Sequence, residues 1–214
     1  RDRVMALKNT SWTDGLYSYK GIQKRVCFHS REIRGRKDAF NPDIIDYKSF
    51  VADLSQLMAA IPMCIYASHI DKERHVNQYI HPIEPYDLCM TFVLERILRD
   101  LPVNQNCVII LESRGAKEDR AVLDFIKGLI DNGTRFHPAS HFSRIKGVYF
   151  NPKWCKAADD RMSYWELELA DLCAYPIQKF FVYGTMDLAF QVILPKLSHY
   201  PDHMGKGLKS FPIT

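Results

Sequence analysis

Glycine is scarce in this chain, ten residues in 214, and none is spaced as a phosphate-cradling loop demands. Both the Walker-type and the dinucleotide-type glycine signatures are thereby excluded. The six cysteines, at 27, 64, 89, 107, 155 and 173, contain no C-x-x-C and no tight cluster. Zinc knuckles need such pairs, and so scattered a set does not make a disulfide framework in a chain of this length. Met63-Cys64-Ile65, Asn106-Cys107-Val108 and Leu172-Cys173-Ala174 instead set the thiol in apolar company, where it is expected to pack as a small hydrophobe. A reducing compartment, the cytoplasm, is the expectation. No run approaches 18 uncharged apolar residues, so no membrane span is expected. No signal peptide is expected either, although the chain opens on Arg1 rather than Met. Without internal repeats, low-complexity tracts or Gly/Ser linkers, residues 1–214 read as one domain.

Charge of one sign is also in short supply, since 29 basic side chains meet 25 acidic ones. A net +4 does not name a partner. Its distribution says more: residues 1–38 hold ten basic and four acidic side chains, residues 196–214 three and one, and the stretch between is slightly acidic. Such ends are either solvated surface or a phosphate-tracking face.

What is present is an alternation of apolar stripes and short apolar runs. Tyr47, Phe50, Val51, Leu54, Leu57, Met58 and Ile61 recur at three- and four-residue spacing and predict a helix from Asp46 to Ala60, ended by Pro62. A second helix is predicted from Pro85 through Leu98, and a third after Gly115, closed by Asn132-Gly133. A fourth opens at Ser163-x-x-Glu166, which has capping-box spacing. Strands are predicted at 25–28, 63–67, 107–111 and 145–150, with 107–111 the clearest buried one. The alternation argues for a layered α/β fold with a parallel portion in its sheet.

Three acids stand out. Asp171 lies within Leu169-Ala170-Asp171-Leu172-Cys173-Ala174-Tyr175, where helical spacing gives it Leu167, Glu168, Ala174 and Tyr175 as same-side neighbours. A carboxylate in so apolar a stretch must be hydrogen-bonded, paired, metal-bound or able to reach solvent. Glu112 follows the strand at 107–111, and Asp71 follows the run at 63–67, so both are expected at carboxyl edges of strands, where ligands gather in open α/β sheets. Oxygen donors of this kind suit Mg or Mn, which can clamp the oxygens of a phosphodiester. Glu118 and Asp119 fit the dipole at a helix start. His29-Ser30 lacks the surround of a nucleophile elbow, and Pro138 argues against His137 and His141 as a helical zinc pair. Cys155, beside Trp154, has no evident base, and Phe28, Tyr149, Phe150, Trp154 and Trp165 are expected in the core.

Four segments, in order and spanning nearly the whole chain, resemble one family. They are the stretch from Val26 to Arg34 with His29-Ser30-Arg31-Glu32, then Leu111-Glu112-Ser113-Arg114-Gly115 with Lys117-Glu118-Asp119. The others are Leu167 to Ile177 with Ala170-Asp171-Leu172-Cys173-Ala174-Tyr175-Pro176, and Gly205-Lys206-Gly207-Leu208-Lys209-Ser210-Phe211-Pro212. Together they resemble the domain of unknown function 3800 family, which is similar to the ribonuclease H-like fold. The resemblance implies a mixed sheet flanked by helices, with carboxylates holding Mg or Mn for phosphodiester cleavage. It implies that Glu112 and Asp171 are metal ligands, with Asp71 the candidate third acid and catalytic partner. His29, Glu32, Asp119 and Glu168 are candidate accessory residues. Family members normally open on a strand bearing Asp-Glu-Ser-Gly, and residues 1–40 contain no such tetrapeptide. Either the amino-terminal strands are missing or truncated in this sequence, or the first ligand has been lost. The expectation is a metal-dependent nuclease or related phosphodiester hydrolase acting on RNA or DNA. The alternative is a non-catalytic nucleic-acid-binding or protein-interaction module on the same fold.

Overall fold

The computed structural model describes residues 1–152 and 164–212. In chain order the first elements are α1 (Asp2–Ser11), β1 (Leu16–Tyr19), β2 (Ile22–Arg25), α2 (Ser30–Gly35), α3 (Tyr47–Ala60), β3 (Ala67–Ile70) and α4 (Lys72–Gln78). Then come α5 (Pro85–Asp100), β4 (Cys107–Glu112), α6 (Ala116–Asn132), α7 (Ala139–Phe142), β5 (Ile145–Asn151), α8 (Trp165–Tyr183), α9 (Leu188–Ile193) and β6 (Leu208–Phe211). The chain divides into two compact units, Arg1–Pro62 with Asn151–Ile193, and Met63–Phe150 with Leu194–Thr214.

The long stripes form the helices their spacing encodes. In α3, Phe50, Leu54, Leu57 and Met58 are buried, and the Asp46 carboxylate caps the helix by accepting from the Ser49 amide at 3.1 Å. Pro85 occupies the first turn of α5, where its missing N–H costs nothing. Gly133 closes α6 with φ +71°, its N–H donating to the Leu129 carbonyl. The predicted capping residue Ser163 lies outside the described residues, as do Trp154 and Cys155.

Short apolar runs were less faithful guides. The strand expected at 63–67 begins only at Ala67, whose N–H donates to the Gly207 carbonyl; before it, Ile65 makes one isolated bridge with Leu197, its N–H donating to the Lys196 carbonyl. Cys64 is consequently exposed rather than packed. The strand expected at 25–28 ends at Arg25, because the Phe28 amide turns to a side-chain acceptor instead of a ladder. β4 forms at the expected place, but Val108 is 54% exposed and Tyr149 on β5 is also exposed. Among the described residues β4 is hydrogen-bonded to β5 alone, so its β-branched run encodes an extended conformation without burial on both faces.

The described strands form three two-stranded sheets, so the fold is mixed α/β with parallel and antiparallel pairing. β1 and β2 make an antiparallel hairpin whose turn residues, Lys20 and Gly21, both have positive φ, as a turn matched to strand twist requires. β3 and β6 pair in parallel, Ala67 opposite Leu208 and Ile70 opposite Phe211. Gly207 enters β6 so close to Ser198 that a Cβ would lie 2.2 Å from the Ser198 carbonyl oxygen, which accounts for the glycine in Gly205-Lys206-Gly207-Leu208. No described helix is long and apolar enough to cross a membrane.

Each unit has its own core. In the first, Trp12, Phe28, Phe40 and Phe50 pack with ring centroids 5.2–5.7 Å apart in edge and tilted arrangements, and the Trp12 indole donates to the Ala39 carbonyl at 2.9 Å. In the second, Leu94 and Leu98 of α5 meet Val122, Ile126 and Leu129 of α6, with Phe142 and Ile145 completing the cluster. Ile126 is fully buried at its centre. Ile126→Ala is expected to cost about 2–5 kcal/mol by lost transfer energy and cavity formation, read as a lowered urea midpoint with unchanged m-value.

Candidate functional site

Glu168, Asp171 and Tyr175 fall at i, i+3 and i+7 on α8, one face of the helix. The segment from Phe28 to Arg34 runs along that face, bound at three points. At the first, Glu168 is fully buried, a state a bare carboxylate does not tolerate. Its Oε1 lies 2.7 Å from the Nζ of buried Lys8 on α1, and its Oε2 accepts from the Phe28 amide at 2.7 Å. The same ammonium sits 4.9 Å from the centre of the Phe28 ring. The ion pair is therefore built into the edge of the aromatic core, with both carboxylate oxygens occupied.

One turn further, the Asp171 Oδ2 accepts from the Ser30 amide at 2.7 Å, at the first residue of α2. Its other oxygen lies 3.8 Å from the His29 Nε2, while the His29 Nδ1 lies 3.5 Å from the Glu32 Oε1. The imidazole thus stands between two carboxylates. All three side chains keep a fifth to a quarter of their surface in contact with solvent. At the third point the Arg34 guanidinium lies flat on the Tyr175 ring, 3.3 Å from its centroid.

The remaining predicted residues belong to the other unit. Asp71 follows β3 as expected, but its Oδ1 caps α4 by accepting from the Arg74 amide at 3.1 Å. Glu112 is the exposed last residue of β4. Asp119 turns back onto the loop after β4, accepting from the Ser113 hydroxyl at 2.6 Å and the Arg114 amide at 2.8 Å. Those two hydrogen bonds hold its carboxyl below the usual carboxylate range. Among the described residues no three His, Cys, Asp or Glu side chains come together to hold a metal ion. The structure therefore brings together Asp171, His29, Glu32 and Glu168 from the predicted set.

Sequence reasoning passed over Lys8, because a basic residue in a polar amino-terminal stretch carries no sign of burial. It also passed over the polar cluster at Asp100, at the end of α5. There Arg99 Nε donates to Oδ1 at 2.8 Å, while Tyr66, Ser198 and His199 converge on Oδ2 at 2.9–3.1 Å. Burial alone would raise the Asp100 carboxyl, but hydrogen bonds from Arg99, Tyr66, His199 and Ser198 outweigh it and hold the group well below its usual range. Burial, aided by hydrogen bonds to Asp100 and Cys64, pushes the Tyr66 phenol up to about 12. No protein-family model, curated protein or solved structure matches this chain.

Two outcomes are expected from these networks. Glu168→Gln leaves the Lys8 ammonium buried without its counter-charge and is expected to destabilise by about 3–5 kcal/mol, measured by urea unfolding, whereas adding Lys8→Met to Glu168→Gln, which keeps an acceptor for the Phe28 amide, should recover part of the loss. For Asp100 the folded pKa lies below the unfolded value of about 3.9, so its stabilisation is fully present above that pH and is lost progressively as pH falls from there through the folded pKa. Urea midpoints compared at pH 6 and pH 2.5 should fall less in Asp100→Asn than in the parent chain; an identical fall would remove Asp100 from the acid response.

Proposed function

We propose that this chain hydrolyses phosphodiester bonds of nucleic acid on a ribonuclease H-like fold, with His29 and Asp171 at the reacting bond. The observation carrying this reading is the His29 imidazole set between Asp171 and Glu32 and open to solvent. The resemblance of Val26–Arg34 and Leu167–Ile177 to one family supports it, since the paired segments lie along one another on α8.

The Mg or Mn centre implied by that resemblance would use Asp171, Glu112 and Asp71. The described donors do not make such a cage: an imidazole faces Asp171 where a hard cation prefers oxygen, and one Asp171 oxygen already accepts an amide. The chemistry is accordingly derived from the chain's own groups. An imidazole can take a proton from the attacking water and return one to the leaving oxygen, so that water adds to phosphorus as the ester oxygen departs as an alcohol. Asp171, fixed by the Ser30 amide, and Glu32 orient the ring and balance the imidazolium that forms. Distances of 3.5 and 3.8 Å are longer than hydrogen bonds, as is common before substrate tightens a site.

Labelled RNA and DNA incubated with Mg, with Mn and with chelator provide the test. Cleavage is expected, reduced about 10²–10⁴-fold in His29→Gln and lost in Asp171→Asn. A chain that binds nucleic acid, cuts none with or without either metal and binds equally well as Asp171→Asn would instead be a non-catalytic module.

A further inference from the structure

α2 offers more than its two ends. The helix and the two residues after it, Ser30 to Lys37, present four exposed cations, Arg31, Arg34, Arg36 and Lys37, against one carboxylate, Glu32, which faces His29. Two of the four lie over tyrosine rings. Arg34 is clamped on Tyr175, its Nε also 3.4 Å from the Ser30 hydroxyl oxygen. Arg36 lies over Tyr47 at 4.9 Å, and the Tyr47 hydroxyl is fixed by donating to the Ile33 carbonyl at 2.9 Å.

Arg36 achieves this in a conformation that side chains rarely adopt. It follows α2 with φ +50° and ψ +45°, the position where helices usually place glycine, while the glycine of this segment sits one residue earlier at 35. A left-handed arginine is a local cost retained by its surroundings. Arg36 lines an open groove of about 520 Å³ together with Tyr47, Lys48 and the apolar Pro42, Ile45 and Val51. The carboxylate on the groove, Asp46, is turned to the start of α3, where it accepts from Ser49.

We propose that α2 carries a single-stranded polynucleotide past the His29–Asp171 cluster, with bases stacked on the guanidinium planes of Arg34 and Arg36 and phosphates met by Arg31 and Lys37. This deepens the phosphodiester reading above and rests on it for the position of the reacting bond. Guanidinium plates and aromatic rings take a base by its face, which a duplex hides and a single strand offers. Such stacking is tolerant of base and of sugar, so RNA and DNA single strands are both ligands. The apolar floor of the groove beside Tyr47 suits one base edge, and Lys48 its phosphate.

The experiment is fluorescence anisotropy of the full chain with labelled single-stranded RNA, single-stranded DNA and the matching duplex, each sample then run on a denaturing gel to read how much strand was cut. The two single strands should bind within about threefold of each other and the duplex at least about tenfold more weakly, as expected when stacking dominates. Arg34→Ala and Arg36→Ala should each weaken single-strand binding about tenfold or more. The Lys variants at those positions should keep the salt dependence but not the affinity. Lys37→Ala should flatten the dependence of log K on log salt by about 0.7. All these side chains are exposed, and far-UV circular dichroism checks that each variant is folded. Duplex binding as tight as single-strand binding, or alanine variants within twofold of the parent, would overturn the proposal. Because binding and cleavage are read separately, tight stacking-dependent binding without cleavage would sink the hydrolase and leave the strand path standing. Cleavage unaffected by either arginine would do the reverse.

Discussion

The first unit depends on one buried carboxylate. Glu168 has no contact with solvent, and a lone charge there would cost several kcal/mol even after relaxation. It is accommodated because Lys8 and the Phe28 amide take one oxygen each, both at 2.7 Å. This demand fixes three separate pieces of chain at once: α1 through Lys8, the end of the β2 segment through Phe28, and α8 itself. With Phe28 pinned at one turn of α8, the next residues have little choice. Ser30 reaches the next turn, where Asp171 receives its amide, and Arg34 reaches the one beyond, where Tyr175 receives its guanidinium.

Two acids one turn apart on α8 thereby acquire different characters from their surroundings. Glu168 has both oxygens committed inside the protein, whereas Asp171 keeps a quarter of its side chain at the surface beside an imidazole. The Asp100 cluster in the other unit makes a useful contrast, since it also pairs an acid with a histidine. There four donors crowd one carboxylate, and Tyr66, Ser198 and His199 all use the same oxygen. A carboxylate so saturated ties together the end of α5, the approach to β3 and the turn at Ser198-His199; it has little capacity left for a ligand. Asp171 differs in holding the Ser30 amide on one oxygen and facing the His29 imidazole with the other at the protein surface.

Legibility in the sequence followed the length of the pattern. α3, α5 and α6 could be read because a stripe of five or more apolar residues repeats over several turns, and the packed helix needs that stripe. Short apolar runs located β4 and β5 but misplaced the other two strands, since Ile65 makes only an isolated bridge with Leu197 before β3 begins and Val26-Cys27-Phe28 is buried without a ladder. α1 and α2 are polar or short and have no stripe to reveal them. Asp171 was legible because a charge in an apolar helix is an anomaly in one dimension. Its neighbours His29 and Glu32 entered only through a family resemblance, because a contact 140 residues away in sequence leaves no local trace. Asp71 and Asp119 show the other side of this: strand-end and helix-start acids most often serve the backbone, and these two do.

The same distinction applies to charge. Counted along the chain, residues 1–38 have a large basic surplus, but a count treats every cation as available to an anion. Lys8 is consumed by Glu168, Lys24 lies over the Tyr19 ring at 4.1 Å, and an Arg3 nitrogen donates to the Ala60 carbonyl at 3.1 Å. Cations held in this way add to the sum without each adding a free phosphate contact. What distinguishes the stretch from Arg31 to Lys37 is exposure together with placement, since two of its guanidinium groups lie over tyrosine rings. A surface of that kind selects for ligands with both negative charge and open aromatic faces, a narrower class than anything a net charge of +4 could name.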